Sequence, residues 1–394
     1  MDISAADAAH MARAVELAAR GHGGTSPNPV VGCVVLSAAG QVVGEGFHAY
    51  AGGPHAEVVA LAQAGEQARG GTAYVTLEPC DHTGRTGPCS RALLAAGVAR
   101  VVVAVADPNP KAAGGAARLR AAGVSVTRGV LAEAAERVNE EWLTYARLGR
   151  PHVTWKFAAT LDGRSAAADG TSQWITSPQA RADVHRLRAA SDAIVAGIGT
   201  VLADDPHLTV RLPESVAAGT GVNAAEGDAG ALPAGSPPLA GRPLGARPPL
   251  RVVVDTEGRT PPAARVLDDE APTLVAVAVD AVTGLKAGLL RLPRHAEGGL
   301  DPHALLRELA AREVVSVFLE GGPTLAGAFL RQGLIDRVIA YLAPALLGEG
   351  RAALGPAGVG TISGAHRLTF DEFSPIGPDL RLTARPAPHQ GREK

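Results

Sequence analysis

The chain has 394 residues, of which 46% are hydrophobic and 19% charged, and its formal net charge is -2. These values predict a soluble globular protein long enough for two domains, and the lack of a basic run argues against a polyanionic partner. Three cysteines are too few for a disulfide framework, no apolar run reaches about 18 residues, and the N-terminus lacks a signal-peptide pattern, so we expect a cytoplasmic protein.

The first part of the chain alternates strands with helices, which is typical of a layered α/β domain. A helix over residues 3–20 precedes two β-branched stretches, 30–37 and 41–48, whose Ala-Ala-Gly connection fits a hairpin. The elements that follow are predicted at 55–68 (helix), 72–79 (strand), 90–97 (helix) and 98–107 (strand). Residues 1–148 are therefore predicted to form the first domain.

The pattern restarts near Gly149, and residues 149–394 are predicted to form a second α/β domain. Ser177 is placed to cap a helix that begins at the next residue. Residues 213–249 are rich in Ala, Gly and Pro and cannot bury much apolar surface, which predicts a flexible insert within this domain. Later strands are predicted at 250–255, 273–280, 314–321 and 336–344.

Two cysteines flank a loop in the stretch TLEPCDHTGRTGPC, and a His-Ala-Glu sequence lies upstream of it. Cys80 follows a predicted strand and Cys89 opens a predicted helix, where the helix N-terminus favours a thiolate. The imidazole of His55 and two thiolates form a common ligand set for catalytic zinc, which leaves the fourth position for water. In zinc deaminases a nearby Glu acts as general acid and base without binding the metal, and Glu57 fits that role.

The same residues are compatible with other interpretations. Cys80 and Cys89 can form a disulfide, or a structural zinc site that His82 completes as fourth ligand. Cys33 lies within a Val-rich strand and is predicted to be a buried, inert thiol. The joint occurrence of the His-Ala-Glu sequence and the two spaced cysteines on an α/β scaffold favours the catalytic site, with His55 as the third ligand.

Five motifs occur in one order along the chain: TSPNPVVGCVV, GEGFHAYAGGPHAE, VTLEPCDHTGRTGPC, DPNP, and LDGR followed by SQWITSPQAR. Together they resemble the bifunctional deaminase-reductase family of riboflavin biosynthesis. The resemblance covers nearly the whole chain apart from the insert. It implies an α/β protein with a cytidine-deaminase-like three-layer domain at the N-terminus and a dihydrofolate-reductase-like α/β domain at the C-terminus.

The resemblance implies that the first domain hydrolyses the 2-amino group of 2,5-diamino-6-(5-phosphoribosylamino)pyrimidin-4(3H)-one and releases ammonia. The resemblance also implies that Asn28 hydrogen-bonds the pyrimidine. An Asn-Pro turn without a binding role also accounts for an asparagine at this position. Arg85, between the two cysteines, is placed to meet the substrate phosphate or is a solvated loop cation. The segment DPNPKAAGGA is shorter than the family pattern, so we assign its residues no substrate role.

The second domain lacks the complete glycine fingerprint of a dinucleotide-binding fold but contains two weaker glycine turns. The turns at 197–199 and 321–322 each follow a predicted strand, where free N–H groups at a helix start favour phosphate. Two such turns on neighbouring strand ends predict a dinucleotide crevice. The resemblance implies that NADPH reduces the ribosyl group to a ribityl chain after the sugar opens to its Schiff-base form.

Matching the motifs of the family assigns residues of the second domain to each ligand. Lys156 is unusual within an apolar strand and is a further candidate for substrate contact. Alternative roles are open for three of these residues. Trp174 can instead be a core anchor, and Arg188 and Arg211 can instead be solvated cations. The substrate is expected to contact Ser172, Arg188, Leu208, Arg211 and Glu320, the two arginines being suited to clamp a phosphate. The nucleotide is expected to contact Ala158, Trp174, Thr200, Asp204, Gly322, Pro323, Thr324, Leu325, Ala326, Gly327 and Ala328.

Two other functions are compatible with the zinc motif alone. One is a nucleobase deaminase acting on nucleic acid and joined to an unrelated C-terminal domain, which the net charge of -2 disfavours. The other is a structural zinc module joined to a cofactor-sensing domain, in which Glu57 would be dispensable. We therefore predict a phosphorylated pyrimidine as substrate, Zn²⁺ and NADPH as cofactors, no nucleic-acid or membrane partner, and a homo-oligomer.

Overall fold

The computed structural model describes residues 4–82, 87–212 and 247–387. Within them the chain divides into two compact units, with the boundary after Gly149. The predicted insert at 213–249 lies outside the described residues except for its last three, and Arg85 also lies outside them. No helix in the described ranges is long and apolar enough to cross a bilayer.

The first unit contains one sheet and six α-helices within its described residues. In chain order its elements are α1 (Ala5–Ala19), β1 (Gly32–Leu36), β2 (Val42–Phe47), α2 (Ala56–Ala64), β3 (Thr72–Leu77), α3 (Cys89–Ala96), β4 (Arg100–Val105), α4 (Gly115–Ala121), β5 (Ser125–Arg128), α5 (Ala132–Val138) and α6 (Glu140–Leu148). The sheet order is β2-β1-β3-β4-β5. Strand β1 is antiparallel to both of its neighbours, which confirms the predicted hairpin, and β3, β4 and β5 run parallel.

A glycine in β2 allows α2 to approach the sheet closely. A Cβ atom at Gly46 would lie 2.4 Å from the carbonyl oxygen of Ala56, a distance that side-chain carbons do not reach. Glycine is therefore required at this position. The close approach fixes the first turn of α2, which carries Glu57 and follows directly after His55.

The core of the first unit consists mainly of small and branched aliphatic side chains. Cys33 is fully buried within it, and burial raises the pKa of its thiol well above the ordinary value. The predicted burial of this cysteine is confirmed. The buried cluster comprises Cys33, Val35, Ala56, Ala60, Ala64, Ala68, Ala73, Val75, Leu93, Val98, Val101, Val103, Leu119 and Val124.

The second unit is built on a nine-stranded sheet. Its elements are β6 (His152–Thr160), β7 (Arg164–Ala166), α7 (Pro178–Ala190), β8 (Ala193–Gly197), α8 (Ile198–Asp204), β9 (Leu250–Val254), β10 (Thr273–Ala278), β11 (Gly288–Leu292), α9 (Pro302–Ala310), β12 (Ser316–Leu319), α10 (Pro323–Arg331), β13 (Arg337–Ala343), β14 (Arg351–Ala352), β15 (Leu368–Ile376) and β16 (Asp379–Pro386). The sheet order is β11-β10-β9-β8-β12-β6-β13-β16-β15, and β7 pairs with β14 separately.

The parallel part of this sheet places the two predicted glycine turns side by side. The seven strands from β11 to β13 in the sheet order run parallel, β16 is antiparallel to β13, and β15 is antiparallel to β16. Gly197 ends β8 and Gly321 lies shortly after the neighbouring β12, so both turns open at one edge of the sheet. Ser177 caps α7 as predicted, because its Oγ accepts a hydrogen bond from the Ala180 N–H at 3.3 Å.

Candidate active sites

Three potential zinc ligands meet at the N-termini of two helices in the first unit. His55 is the N-cap residue of α2, Cys89 is the first residue of α3, and Cys80 follows β3. The Nδ1 atom of His55 lies 3.6 Å from Cys80 Sγ and 3.3 Å from Cys89 Sγ. Zinc bonds of about 2.0 Å to nitrogen and about 2.3 Å to sulfur place two such ligands about 3.5 Å apart in a tetrahedron, so the three donors fit Zn²⁺.

This geometry decides between the interpretations that the sequence left open. Cys80 and Cys89 are free thiols, so the disulfide interpretation is wrong. His82 does not join the ligand group that the described residues form. The described part of the chain therefore provides no fourth protein ligand for a structural zinc site. Three protein donors match a catalytic zinc site, whose fourth position is open to water.

The electrostatics of the site suit metal binding and proton transfer. The hydrogen bond from the Cys89 side chain is the largest of the effects that lower the pKa of the Cys80 thiol to about 4, and the Cys89 backbone N–H also donates to Cys80 Sγ at 3.4 Å. Metals bind cysteine as the thiolate. Glu57 is only 3% exposed, and burial raises the pKa of its carboxyl group, which brings that pKa closer to neutral pH.

Asn28 lies beside this group, and His48 connects the two. Asn28 Nδ2 is 3.3 Å from His48 Nε2, and the His48 and His55 ring centroids are 5.5 Å apart in an edge-on arrangement. Burial lowers the pKa of His48. His48 lies in the motif GEGFHAYAGGPHAE, but its role was not identifiable from the sequence because its partners are determined by the fold.

Two carboxylates hold the loop that carries Cys80. Glu78 accepts a hydrogen bond from the backbone N–H of Ala116 at 3.1 Å. Asp81 accepts one from Ser90 Oγ at 2.6 Å. Because Ala116 is the last residue of the segment DPNPKAAGGA and lies in α4, that segment has a structural role in supporting the ligand loop.

Most of the predicted reductase residues line a cavity of about 640 Å³ in the second unit. The exceptions are Thr324 to Ala328, which lie in α10 and do not line the cavity. The predicted residues that line it are Lys156, Ala158, Ser172, Trp174, Arg188, Thr200, Asp204, Leu208, Arg211, Glu320, Gly322 and Pro323.

An ion-pair network forms one wall of this cavity. Glu320 pairs bidentately with Arg188, with 2.9 Å between Oε2 and Nη2, and its Oε2 lies 3.8 Å from Lys156 Nζ. Arg188 also donates to the carbonyl oxygen of Thr209 at 3.0 Å. Burial opposes ionisation of Glu320, but Arg188 and Lys156 outweigh it and lower its pKa to about 2. Glu320 is therefore a carboxylate at neutral pH.

The cavity wall also contains an exposed aromatic side chain. Trp174 is 69% exposed, so its interpretation as a core anchor is wrong. The guanidinium of Arg181 lies 4.3 Å from the centroid of its ring. Three further arginines line the same cavity: Arg181, Arg265 and Arg351. They were not identifiable from the sequence, because they come from separate elements and no shared spacing marks them.

Family models match both units of the chain. Residues 151–382 match the model described as RibD C-terminal domain, and residues 4–105 match the cytidine and deoxycytidylate deaminase zinc-binding region. The riboflavin biosynthesis protein RibD of Escherichia coli K12 is 45% identical over 380 residues, which cover 95% of this chain and 98% of that protein. RibD of Mycobacterium tuberculosis is 47% identical over 374 residues, which cover 95% of each chain.

Solved structures are similar over the same length. RibD of Acinetobacter baumannii has a TM-score of 0.80 at 40% identity, with 97% of this chain and 99% of that chain covered. The diaminohydroxyphosphoribosylaminopyrimidine deaminase / 5-amino-6-(5-phosphoribosylamino)uracil reductase of Thermotoga maritima has a TM-score of 0.79 at 33% identity, with the same coverage. These similarities confirm the predicted fold, a cytidine-deaminase-like part followed by a dihydrofolate-reductase-like part.

Proposed function

The chain belongs to the RibD family of riboflavin biosynthesis proteins, bifunctional enzymes that join a zinc-binding deaminase to a reductase, and we propose that residues 1–148 deaminate 2,5-diamino-6-(5-phosphoribosylamino)pyrimidin-4(3H)-one. Residues 149–394 then reduce the ribosyl group of the product to ribityl. The group of one nitrogen and two sulfur donors beside the buried Glu57 carries this proposal. It also disfavours the alternative of a structural zinc module, because such a module does not need a buried carboxyl group beside the metal.

In the deaminase unit we assign His55, Cys80 and Cys89 as zinc ligands and Glu57 as the catalytic acid and base. Bound zinc lowers the pKa of water and so supplies hydroxide at neutral pH. Glu57 accepts one proton of the attacking water and passes it to the ring nitrogen, then takes the remaining hydroxyl proton and passes it to the departing amine. The carbon–nitrogen bond to the 2-amino group breaks and ammonia leaves. The raised pKa of Glu57 allows it to hold the proton between these steps.

In the reductase unit we assign NADPH to the part of the cavity lined by Ala158, Trp174, Thr200, Asp204, Gly322 and Pro323. The proposed contacts continue into α10 with Thr324, Leu325, Ala326, Gly327 and Ala328, which do not line the cavity. The exposed face of Trp174 offers a packing surface, and the start of α10 offers free N–H groups to phosphate. NADPH held by these residues would supply a hydride to C1′ of the open-chain imine, and the C=N bond would become a single bond as the nitrogen takes a proton.

The substrate is assigned to other lining residues of the same cavity. Lys156 lies beside the Glu320 carboxylate, where it can hold a proton for the opened sugar. Arg188 is already bound to Glu320 and to a backbone carbonyl, so we assign the phosphate mainly to Arg211. The complete set of proposed substrate contacts in this unit is Lys156, Ser172, Arg188, Leu208, Arg211 and Glu320.

We also propose that the enzyme is a cytoplasmic homo-oligomer that acts on a small nucleotide and has no nucleic-acid or membrane partner. Its three free thiols and its net charge of -2 support this. Strand β15 forms one edge of the nine-stranded sheet and leaves Phe370 52% exposed and Phe373 62% exposed. A second copy can cover such an edge around a two-fold axis, because strand pairing is self-complementary.

The experiment that tests the proposed function follows ammonia release and NADPH oxidation separately with the diaminopyrimidine nucleotide. We expect ammonia first, then NADPH oxidation, with little oxidation of NADH. The variant Glu57→Gln should keep its zinc, lose ammonia release by about 10²–10⁴-fold, and still reduce the deaminated nucleotide when it is supplied.

The matched control is Glu66→Gln, which changes an exposed carboxylate of the same unit. It should retain both activities. Full ammonia release by Glu57→Gln would overturn the catalytic assignment, and equal use of NADH would overturn the choice of cofactor.

A further inference from the structure

His48 follows β2 at the end of the β1–β2 hairpin, between Asn28 and the residue before the ligand His55. Its side chain is only 3% exposed, and its backbone N–H donates to the Val31 carbonyl at 2.9 Å. Its Nδ1 lies 3.0 Å from the Pro54 carbonyl oxygen and its Nε2 lies 3.3 Å from Asn28 Nδ2. Both ring nitrogens are therefore engaged by the protein.

The Pro54 carbonyl fixes the direction of these hydrogen bonds. A carbonyl oxygen only accepts, so Nδ1 of His48 carries the proton. In the neutral ring Nε2 then presents a lone pair, which accepts from the amide nitrogen of Asn28. The amide oxygen of Asn28 must point away from the ring, and no described residue donates a hydrogen bond to it.

The backbone around Asn28 is held independently of His48. The Asn28 N–H donates to the Thr25 carbonyl at 2.7 Å, and the Val30 N–H donates to Asn139 Oδ1 at 3.1 Å. His48 therefore controls mainly the orientation of the Asn28 carboxamide. Without this partner the two ends of the amide can exchange places, because they have the same shape and opposite hydrogen-bonding character.

We propose that His48 is a positioning residue of the deaminase unit, which locks the Asn28 carboxamide so that its oxygen accepts a hydrogen bond from an N–H group of the pyrimidine. The inference rests on the proposed function, since the ring N–H and amino groups of a diaminopyrimidinone are the donors that this oxygen would meet. The exchanged amide would present N–H to N–H. His48 thus favours ligands with a donor at this position.

A double-mutant cycle tests whether His48 acts through Asn28. The kcat and KM of ammonia release are measured for the wild type, His48→Phe, Asn28→Ala and the double variant. We expect His48→Phe to raise KM about tenfold, as for one lost hydrogen bond, with a smaller change in kcat and unchanged zinc content. In the Asn28→Ala background the same change should have no further effect.

The exposed His22 provides the matched control, and His22→Phe should leave KM unchanged. Additive effects of His48→Phe and Asn28→Ala would overturn the inference, since His48 would then act through the fold or through His55. If the wild type releases no ammonia from the diaminopyrimidine nucleotide, the proposed function fails and the inference with it. If the wild type releases ammonia but the effects of the two substitutions are additive, the inference fails and the proposed function stands.

A measurement on the unchanged zinc-loaded enzyme covers the case in which His48→Phe does not fold. Nitrogen-15 NMR of the histidine rings distinguishes a protonated from an unprotonated ring nitrogen. We expect His48 to carry its proton on Nδ1, with Nε2 unprotonated. A proton on Nε2 would make Asn28 present its oxygen to His48 and would overturn the inference.

Discussion

His185 lies next to two cations of the reductase cavity and should contribute to the pH dependence of stability. Its Nδ1 accepts a hydrogen bond from the Arg211 backbone N–H at 3.1 Å. Burial, followed by the charges of Arg188 and Arg211, lowers its pKa from 6.5 to about 4. Because the folded pKa is depressed, its stabilising contribution is complete above pH 6.5 and is lost as pH falls through about 4.

The variant His185→Gln should remove this part of the pH dependence, because an amide oxygen accepts the same N–H without titrating. The measurement is the free energy of unfolding by denaturant at pH values between 7 and 4. We expect the wild type to lose stability relative to the variant as the solution becomes more acidic. Parallel curves would contradict this, and the exposed His303 serves as control through His303→Gln.

At the residue scale the sequence predicts side chains whose type and spacing are unusual. His55, Cys80 and Cys89 were identifiable because a His-Ala-Glu sequence and two spaced cysteines rarely occur together, and the structure brings their ligand atoms within 4.8 Å of one another. His48 was not identifiable, since its role depends on which carbonyl and amide the hairpin places around its ring. The contact between Arg181 and Trp174 was missed for the same reason.

Helix α4 supports the zinc ligands through a glycine at its first position. A Cβ atom at Gly115 would lie 1.8 Å from the carbonyl oxygen of Pro79, the residue before Cys80. We expect Gly115→Ala to displace Pro79 and Cys80 and to weaken zinc binding by about 10–100-fold, as for other changes next to metal ligands. Zinc retention against a graded series of chelators measures this effect.

Gly87 provides a control in the same unit. No atom lies within 4 Å of a Cβ built at this position, and its backbone does not adopt a positive φ. The variant Gly87→Ala should therefore retain zinc as the wild type does. Wild-type zinc affinity in Gly115→Ala would show that α4 does not constrain the ligand loop.

At the element scale the buried strands were predictable and the peripheral strands were not. Strands β8, β9, β10, β12 and β13 lie within the parallel part of the sheet, and strands covered on both faces have continuous apolar sequences. Strand β15, with the sequence LTFDEFSPI, lies at the sheet edge and is mostly exposed, so burial imposes no pattern on it. Strand β11 lies at the other edge of the sheet and is also partly exposed.

For the whole molecule we predict self-association through the edge strand β15. Replacing Phe370 and Phe373 together by Lys adds charge to an exposed apolar edge and should convert the oligomer to monomers in sedimentation velocity, with ammonia release per chain unchanged. The control is Val282→Lys, at a side chain that is 95% exposed elsewhere in the same unit. An unchanged mass of the double variant would show that copies associate through another surface.

The order of the two activities along the chain was predictable because each has its own motifs, and these follow one another in sequence. The net charge and the lack of a basic run favoured a small substrate over the nucleic-acid deaminase, and the family comparisons also disfavour that alternative. The surface that we propose for assembly was not predictable, since the exposure of β15 depends on its position at the end of the strand order and not on its composition.

Zinc K-edge X-ray absorption on the purified holoenzyme tests most directly whether His55, Cys80 and Cys89 form an open catalytic site. We expect two sulfur atoms at about 2.3 Å and two nitrogen or oxygen atoms at about 2.0 Å from each zinc, with one sulfur lost in Cys89→Ser. A zinc shell of four sulfurs, or one without sulfur, would contradict this assignment.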